Sequence, residues 1–328
     1  MPERELSFAQ AIREALAEEL RRDSRVCIFG EDVAEAGTPF KVLSGLVEEF
    51  GAERVIDTPI SEAGFTGIGV GAAMTGLRPV VDIMFGDFLT LTMDQMVNQA
   101  AKVHYMSGGH WNVPMVMRTT LGATRRSAAQ HSQSLQAWFS HIPGLKVVLP
   151  STPYDAKGLL KTAIRDENPV IFFEDKMMYK LKGPVPADDY TIPLGSADVK
   201  RTGEDITFVA TSSMVQVALG AATLLEKEGI SAEVVDPRTT WPLDENTIIE
   251  SVKKTSRAIV MDEGYGRYGV TSEIAAVIAE KAFFDLDAPV KRMGAMHVPI
   301  PFSPPLEDVT VPTEEQVFET AREMCGKG

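Results

Sequence analysis

The chain is 328 residues long, 44% of its residues are apolar and 24% are charged, and 32 basic against 46 acidic side chains give a net charge of −14. This length is too great for one ordinary core and predicts two domains, while the composition excludes a disordered chain. An acidic protein repels phosphate backbones, so the charge argues against a nucleic-acid-binding protein.

Other features narrow the protein class further. Two cysteines, Cys27 and Cys325, cannot form a disulfide framework or a zinc site. No apolar run is long enough to cross a membrane, and the segment MPERELSF lacks the basic-then-apolar pattern of a signal peptide. We therefore expect no membrane association and a cytoplasmic location.

Strands and helices alternate along the first half of the chain. Apolar residues at helical spacing predict a helix over Ser7–Arg22, and Ser7 with Gln10 fits a capping box. The elements that follow are predicted as the strand Val26–Gly30, the helix Leu43–Phe50, the buried strand Arg54–Thr58, a tightly packed Gly-rich helix within Ala63–Gly76, the strand Arg78–Phe85, the helix Leu91–Met106 closed by Gly108 and Gly109, the strand Val113–Thr119, a loop to His131, the helix Gln133–Ser140, the strand Lys146–Pro150, a helix capped by Thr152 that runs from Pro153 to Arg165, and the strand Pro169–Glu174.

A second unit of the same kind follows a proline-containing segment. Lys176–Gly195 is interpreted as a linker or surface crossover. Beyond it we predict the strand Ile206–Ala210, the helix Met214–Lys227, the strand Ser231–Asp236, the helix Asp244–Lys254, the strand Ala258–Glu263, the helix Thr271–Phe284, a strand near Val290 and a terminal helix opened by a capping box of Thr313 with Gln316. The alternation predicts an α/β fold with two doubly wound parallel-sheet domains, at residues 1–180 and 201–328, joined by a linker at 181–200.

Glu62 is the first candidate functional residue, because an acid after a parallel strand lies where α/β sheets place their chemistry. Met84 and Phe88 follow the next strand and would lie at the same sheet edge. An aromatic face beside a partly buried acid suits a flat, protonatable heterocycle. A solvated or helix-capping acid, and core packing of Met84 and Phe88, remain the structural alternatives.

Other motifs in the chain are weaker or incomplete. Gly67, Gly69 and Gly71 have the wrong spacing for a dinucleotide-binding loop, so a packed helix is favoured. His131, in the loop segment AAQHSQS, has polar neighbours that can fix one tautomer, and both a catalytic and a structural role stay open. There is no metal-binding histidine spacing, no phosphate loop and no GxSxG elbow. An acid, an aromatic residue and a histidine without a phosphate or metal site make an incomplete active site, which suggests a partner subunit.

Seven segments that span nearly the whole chain resemble the beta subunit of the thiamine-diphosphate-dependent decarboxylating component of 2-oxo acid dehydrogenase complexes. The segments are DTPISEAGF (57–65), GLRPVVDIMFGDF (76–88), DQMVNQAAKVHYMSGG (94–109), AQHSQSLQAWFSHIPGLKVV (129–148), PSTPYDAKGLLKTAIRDENPVIFFE (150–174), DPRTTWPLD (236–244) and IPFSPPLED (300–308). The resemblance implies a transketolase-like pyrimidine-binding domain followed by a transketolase C-terminal domain.

The resemblance also implies roles for the candidate residues. Glu62 resembles the glutamate that hydrogen-bonds the aminopyrimidine ring nitrogen of thiamine diphosphate, Phe88 the aromatic residue that stacks on this ring, and Met84 a neighbour that lines the pocket. His131 resembles the histidine that assists acyl transfer to a lipoyl sulfur. The segment AIRDENP resembles a structural potassium site of some relatives, with Ile164, Asp166 and Asn168 as ligands.

The resemblance implies partners as well. In this family an alpha subunit carries the GDG-type motif that binds Mg²⁺ and the diphosphate, and this sequence has no GDG. We therefore expect thiamine diphosphate to be shared with an alpha subunit that mainly holds the Mg²⁺, in an α2β2 heterotetramer that docks on a lipoyl-bearing acyltransferase core.

The predicted function is that of the beta subunit of a pyruvate or acetoin dehydrogenase. A branched-chain 2-oxo acid dehydrogenase, a transketolase-like synthase half without lipoamide, and a non-catalytic scaffold subunit are the alternatives, although Glu62, Phe88 and His131 argue against the last. One departure concerns the loop before AQHSQ, which is Gly-rich in relatives and here contains Arg125 and Arg126. These cations would lower the pKa of His131 and meet an acidic lipoyl domain or a substrate carboxylate, or else they are solvated loop charges.

Overall fold

The computed structural model describes residues 4–326, and the chain divides into two compact units. The first unit comprises the residues through Leu121 together with Trp138–Leu194. The second comprises Gly122–Ala137 together with the residues from Gly195 onward. The segment that contains His131 is therefore part of the second unit, although it lies within the first predicted domain.

The first unit contains a sheet of parallel strands. Its strands and helices are β1 (Arg4–Ser7), α1 (Phe8–Arg22), β2 (Val26–Gly30), α2 (Leu46–Phe50), β3 (Val55–Asp57), α3 (Glu62–Met74), β4 (Arg78–Ile83), α4 (Ala101–Met106), β5 (Val116–Leu121), β6 (Lys146–Val148), α6 (Pro153–Arg165), β7 (Val170–Asp175) and β8 (Lys182–Val185). The helix α5 (Gln136–Ser140) precedes β6, and its residues Gln136 and Ala137 belong to the second unit. Six strands lie in the order β6-β7-β5-β4-β2-β3, and each neighbouring pair is parallel.

Helices cover both faces of this sheet. On one face, Phe8 and Ile12 of α1 and Leu159 of α6 belong to the same core cluster as Val80 of β4. On the other face α3 lies so close that a Cβ atom at Gly69 would be 2.7 Å from Val81 Cγ2. Successive residues of a strand point to opposite faces, so the sheet is doubly wound as predicted.

The second unit repeats this arrangement. Its elements are β9 (Asp198–Arg201), β10 (Ile206–Ala210), α7 (Met214–Glu226), β11 (Ala232–Asp236), β12 (Thr239–Trp241), α8 (Glu245–Thr255), β13 (Ala258–Tyr265), α9 (Val270–Ala282), β14 (Lys291–Ala295), α10 (Pro304–Glu307) and α11 (Glu314–Met324). The strand order is β14-β13-β10-β11-β9, and only β9 is antiparallel to its neighbour. Phe208 packs with α7 and α11, and Val209 packs with α8 and α9, so helices cover both faces here too.

Several predicted elements differ in detail. The predicted helix Leu91–Met106 is a 3-10 segment (Gly86–Thr92), a π-helical segment (Asp94–Ala100) and the short α4. Apolar periodicity does not distinguish these helical forms, which differ by one residue per hydrogen-bonded turn. The strand predicted at Arg54–Thr58 is β3, which lies at the sheet edge and is less buried than expected, with Ile56 37% exposed.

The segment interpreted as a linker is folded into the first unit. It contains a 3-10 segment (Lys176–Lys180) with a buried Tyr179, and β8 pairs antiparallel with β1. Pro184 is tolerated in β8 because this two-stranded ribbon has edges where a missing N–H is harmless. Of the two interpretations of this stretch, these contacts favour a surface crossover, while the domains at 1–180 and 201–328 and the linker at 181–200 remain a prediction. No helix in the part of the chain that the structure describes is long and apolar enough to cross a membrane.

Candidate active site

Glu62 lies at the carboxyl end of the first sheet, as predicted. It is the first residue of α3 and is only 9% exposed. Four residues separate it from β3, and this turn is held to the sheet because the Thr58 N–H donates to the Gly30 carbonyl at 2.9 Å. The first turn of a helix carries unpaired N–H groups and the positive end of the helix dipole, which favours the carboxylate there.

Met84 and Phe88 follow β4, which is separated from β3 only by β2. Both side chains are half-buried. Thr120 donates to the Met84 carbonyl at 2.9 Å, and the ring of Phe88 meets that of Phe85 edge to face at 5.9 Å. Glu62 follows β3, and Met84 and Phe88 follow β4, two strands away in the same sheet. The three residues therefore lie at the sheet edge where the sequence predicted them.

Glu31 is a further candidate site residue, which the sequence analysis did not select. It directly follows β2, between the strands that lead to Glu62 and to Met84, and it is 8% exposed. Its Oε1 atom is buried without a hydrogen-bond partner among the described residues. Burial, followed by the charge of Glu62, raises the pKa of Glu31. Its signal in the sequence was its place directly after an apolar strand.

A buried ion-pair network supports this edge from within the sheet. Arg118 of β5 pairs with Asp82 of β4 and makes a bidentate pair with Glu174 of β7, in which Nη2 lies 2.7 Å from Oε2. The Tyr179 hydroxyl donates to the same carboxylate at 2.9 Å. Burial lowers the pKa of Arg118, but the charges of Glu174 and Asp82 outweigh it and raise that pKa, so the guanidinium stays charged.

Close backbone contact also constrains this edge. A Cβ atom at Gly30, the last residue of β2, would lie 2.4 Å from the Asp82 carbonyl oxygen. Only glycine allows β2 and β4 to approach in this way immediately before Glu31. Gly30 therefore determines how closely β2 and β4 approach at the position of Glu31.

His131 lies in a loop of the second unit. It is half-buried, and its backbone N–H reaches the Ala128 carbonyl at 3.4 Å. Arg126, five residues earlier, pairs with Glu307 and Asp308, with Nη1 at 2.7 and 2.6 Å from their carboxylates. The hydrogen bonds that Arg126 donates to Asp308 and Glu307 raise the pKa of Arg126. Arg126 is thus engaged in ion pairs within its own unit. The neighbouring Arg125 is exposed.

The carbonyl groups predicted to bind potassium have another cationic partner. Arg78 Nη1 lies 3.1 Å from the Ile164 carbonyl oxygen and 3.0 Å from that of Asp166. The side chain and backbone N–H of Asn168 both donate to the Asp166 carboxylate, at 2.9 and 2.8 Å. A potassium ion here would share two oxygens with a positive guanidinium, so the residues present fit the ion poorly.

Comparisons with known proteins agree with the two-unit architecture. Residues 4–182 match the family model described as the pyrimidine binding domain of transketolase, and residues 195–317 match that of the transketolase C-terminal domain. A solved structure described as a split gene transketolase, inactive beta4 tetramer, covers 98% of each chain with a TM-score of 0.81. At 22% identity this likeness shows the fold alone.

Curated relatives are much more similar in sequence. The acetoin:2,6-dichlorophenolindophenol oxidoreductase subunit beta of Bacillus subtilis (strain 168) is 51% identical, over 99% of this chain and 98% of that protein. The 2-oxoisovalerate dehydrogenase subunit beta of the same organism is 48% identical, over 98% of each. The pyruvate dehydrogenase E1 component subunit beta of Rhizobium meliloti (strain 1021) is 48% identical, over 98% of this chain and 70% of that protein. The chain belongs to the family of beta subunits of thiamine-diphosphate-dependent 2-oxo acid and acetoin dehydrogenases, built from a transketolase pyrimidine-binding domain and a transketolase C-terminal domain.

Proposed function

We propose that this chain is the beta subunit of a pyruvate or acetoin dehydrogenase, which cleaves the carbon–carbon bond next to a carbonyl group and passes the acyl unit to lipoamide. The observation that carries the proposal is a buried glutamate, Glu62, in the first turn of a helix at the carboxyl edge of a doubly wound sheet. A branched-chain substrate is the second candidate, because the 2-oxoisovalerate relative is 48% identical against 51% for the acetoin relative.

The residues at this edge fit an aminopyrimidine ring. The ring offers a nitrogen that accepts a proton and two aromatic faces, and the edge offers a buried acid, a half-buried aromatic ring at Phe88 and a thioether at Met84. When bound, thiamine diphosphate supplies the nucleophilic carbon and the electron sink for carbon–carbon cleavage. Glu62 would hold a proton at the ring nitrogen, while Phe88 and Met84 would orient the ring and exclude water.

Glu31 supports this role for Glu62. Its carboxyl group is buried, its Oε1 has no hydrogen-bond partner among residues 4–326, and it interacts electrostatically with Glu62. Burial, followed by the charge of Glu62, raises the pKa of Glu31, so the Glu31 carboxyl group holds a proton more readily than an exposed glutamate does. An acid with a raised pKa next to Glu62 suits proton transfer at this edge.

The remaining part of the active site would come from an alpha subunit in an α2β2 heterotetramer. The sequence has no GDG, so the alpha subunit would hold the Mg²⁺ and the diphosphate. Ile60 and Ile68, on either side of Glu62 in sequence, are 83% and 65% exposed, and a partner subunit would remove this apolar area from water. His131 would assist acyl transfer to the lipoyl group of an acyltransferase core.

Two finer proposals concern potassium and location. A structural potassium ion at Ile164, Asp166 and Asn168 would have to compete with the guanidinium of Arg78 for the carbonyl oxygens of Ile164 and Asp166. A cytoplasmic location stays a prediction from the sequence.

The test of the proposed function is turnover by the chain co-expressed with an alpha-type subunit. The assay supplies thiamine diphosphate, Mg²⁺ and an artificial electron acceptor, and compares pyruvate, acetoin and branched 2-oxo acids. We expect one substrate to dominate and Glu62→Gln to reduce kcat by about 10²–10⁴-fold, the usual contribution of a general acid or base. If Glu62→Gln keeps turnover within a few-fold, the role of Glu62 is wrong. If the wild-type complex turns over none of the substrates, the synthase alternative is favoured.

A further inference from the structure

The loop that carries His131 has an unfavourable backbone conformation. Three of its residues that are not glycine, Thr124, Arg126 and Ala128, have positive φ angles of 67°, 59° and 61°. Side chains disfavour this left-handed region, most strongly when they are β-branched like Thr124. Such a loop keeps its shape only if contacts from the surrounding structure hold it.

A buried carboxylate provides the central contact. The Glu307 side chain is fully buried and accepts two hydrogen bonds from the same residue, one from the backbone N–H of Arg126 at 3.1 Å and one from Nη1 at 2.7 Å. Both bonds fix Arg126 at its left-handed position. A buried carboxylate with a charged partner and a backbone donor is a strong and directional anchor.

Glu307 is itself fixed to the body of the second unit. Thr310 donates to the Glu307 carbonyl through its backbone N–H at 2.9 Å and its hydroxyl at 2.6 Å. The Thr310 carbonyl in turn accepts from the N–H of Met296, directly after β14, at 2.8 Å. The anchor is thus connected to the edge strand of the sheet by consecutive hydrogen bonds.

The two ends of the loop are held by the adjacent strand β13. At the start, the Ala123 N–H donates to the Glu263 carboxylate, which also accepts from the Ser213 hydroxyl at 2.9 Å. At the end, Gln136 donates to the Asp262 carboxylate at 2.7 Å. Arg126 and Glu307 therefore act on the middle of a loop whose ends are already fixed.

We propose that Arg126 and Glu307 are positioning residues for His131. The His131 N–H reaches the carbonyl of Ala128, a left-handed residue, at 3.4 Å. The position of His131 therefore depends on the contacts that hold Arg126 and Ala128 in place. The inference rests on the proposed role of His131 in acyl transfer to a lipoyl group. It gives Arg126 a function within the second unit, in place of a contact with substrate or with a lipoyl domain.

The expected effect is selective for the lipoyl step. In Arg126→Ala, Glu307 loses its cationic partner and the loop loses its central contact. A displacement of about 1 Å at a catalytic group costs roughly 10²-fold in rate, so we expect reductive acylation of a lipoyl domain to fall about 10- to 100-fold. Reduction of an artificial electron acceptor does not need His131 in this proposal, and should stay within about two-fold of the wild-type rate.

The experiment uses the complex assembled with its alpha-type subunit and measures both rates for wild type, Arg126→Ala, Arg126→Lys and Glu307→Gln. Arg126→Lys keeps the charge and should recover part of the lipoyl rate. Glu307→Gln removes the charge but keeps the size of the side chain and an oxygen that can accept from the backbone N–H of Arg126. It provides a second variant if Arg126→Ala does not fold. Arg322→Ala is the matched control, because this residue pairs with Glu319 at 2.7 Å in the same unit with a similar exposure, 33% against 36% for Arg126.

Hydrogen–deuterium exchange of residues 122–137 separates this inference from the proposed function. Faster exchange in Arg126→Ala and Glu307→Gln, but not in Arg322→Ala, together with selective loss of the lipoyl step, supports the positioning role. Unchanged exchange overturns it, and so does an equal fall, or no fall, in both rates. His131→Gln is measured in parallel. If that variant transfers acyl groups normally, the proposed role of His131 fails, and the exchange data still show whether the ion pair holds the loop.

Discussion

At the scale of single residues, Glu31 and Glu62 are two acids at one sheet edge with different surroundings. Glu62 begins a helix, where unpaired N–H groups and the helix dipole favour its negative charge. Glu31 follows a buried strand, and its Oε1 lacks a hydrogen-bond partner among the described residues. Burial and the charge of Glu62 raise the pKa of Glu31. The two glutamates thus lie at one sheet edge in different surroundings, and a raised pKa is found for Glu31.

This difference predicts how stability depends on pH. A carboxyl group with a raised pKa stabilises the folded state fully below its unfolded pKa, near 4.5, and this contribution is lost as pH rises through the raised folded pKa. The variant Glu31→Gln is neutral at every pH. It should melt like the wild type at pH 4 and at a higher temperature at pH 8, by about 2–4 °C for a gain of about 1 kcal/mol.

The measurement is the thermal melting midpoint of the purified chain between pH 4 and pH 8. Glu53→Gln, which removes the charge of an exposed glutamate in the same unit, serves as the control and should follow the wild-type curve. A constant difference between Glu31→Gln and wild type across this range would show that the Glu31 carboxyl group has no raised pKa in the folded chain.

At the scale of elements, α3 shows what a glycine-rich helix does beside the site. Gly69 faces the sheet, where an added Cβ atom would lie 2.7 Å from Val81 Cγ2 and 3.4 Å from Phe29 Cζ. Gly71, half a turn further along, has nothing within 4 Å of an added Cβ atom. One glycine is therefore needed for close packing and the other only weakens the helix.

Alanine substitutions at these two positions should have opposite effects. Gly71→Ala removes backbone entropy from the unfolded chain and should stabilise by about 0.5–1 kcal/mol. Gly69→Ala forces Val81 or the helix to move and should destabilise by about 1–3 kcal/mol. Denaturant unfolding of the purified chain, followed by circular dichroism, measures both. A shift in the same direction for both variants would contradict the packing described for α3.

The elements also show how far the sequence predicts this fold. Both capping boxes, Ser7 with Gln10 and Thr313 with Gln316, are formed by the predicted residues, because a capping signal is local. The strand β8 was missed because its pairing with β1 joins residues more than 170 positions apart. The sequence predicted α3 as a packed helix, but which glycine faces the sheet depends on the helix orientation, which composition does not contain.

The candidate site was predictable to a similar degree. The topology of parallel strands is sufficient to bring Glu62, Met84 and Phe88 to one edge, so these residues could be selected together. Glu31 was not selected, since its burial and unpaired oxygen depend on the surrounding structure. The left-handed residues of the His131 loop left no sequence signal, because threonine, arginine and alanine seldom adopt positive φ.

At the scale of the whole molecule, the chain has an acid and an aromatic surface that we propose to bind a pyrimidine ring, but its sequence lacks the GDG-type motif that we expect for the diphosphate and Mg²⁺. A ligand that is held at only one of its two ends lacks the affinity that contacts at the other end would contribute. We therefore expect the purified chain alone to bind thiamine diphosphate with Mg²⁺ at least about 100-fold more weakly than the complex with an alpha-type subunit, a difference of about 3 kcal/mol.

Isothermal titration calorimetry of the chain, the alpha-type subunit and their complex measures this difference. The variant Glu62→Gln in the complex should bind the cofactor at most about 10- to 150-fold more weakly than wild type, because one hydrogen bond to a charged group contributes about 1.5–3 kcal/mol and glutamine retains an acceptor. The same variant should lose most of its turnover, which separates cofactor binding from proton transfer. If the chain alone binds thiamine diphosphate as tightly as the complex does, the diphosphate is held by residues of this chain, and the shared active site is wrong.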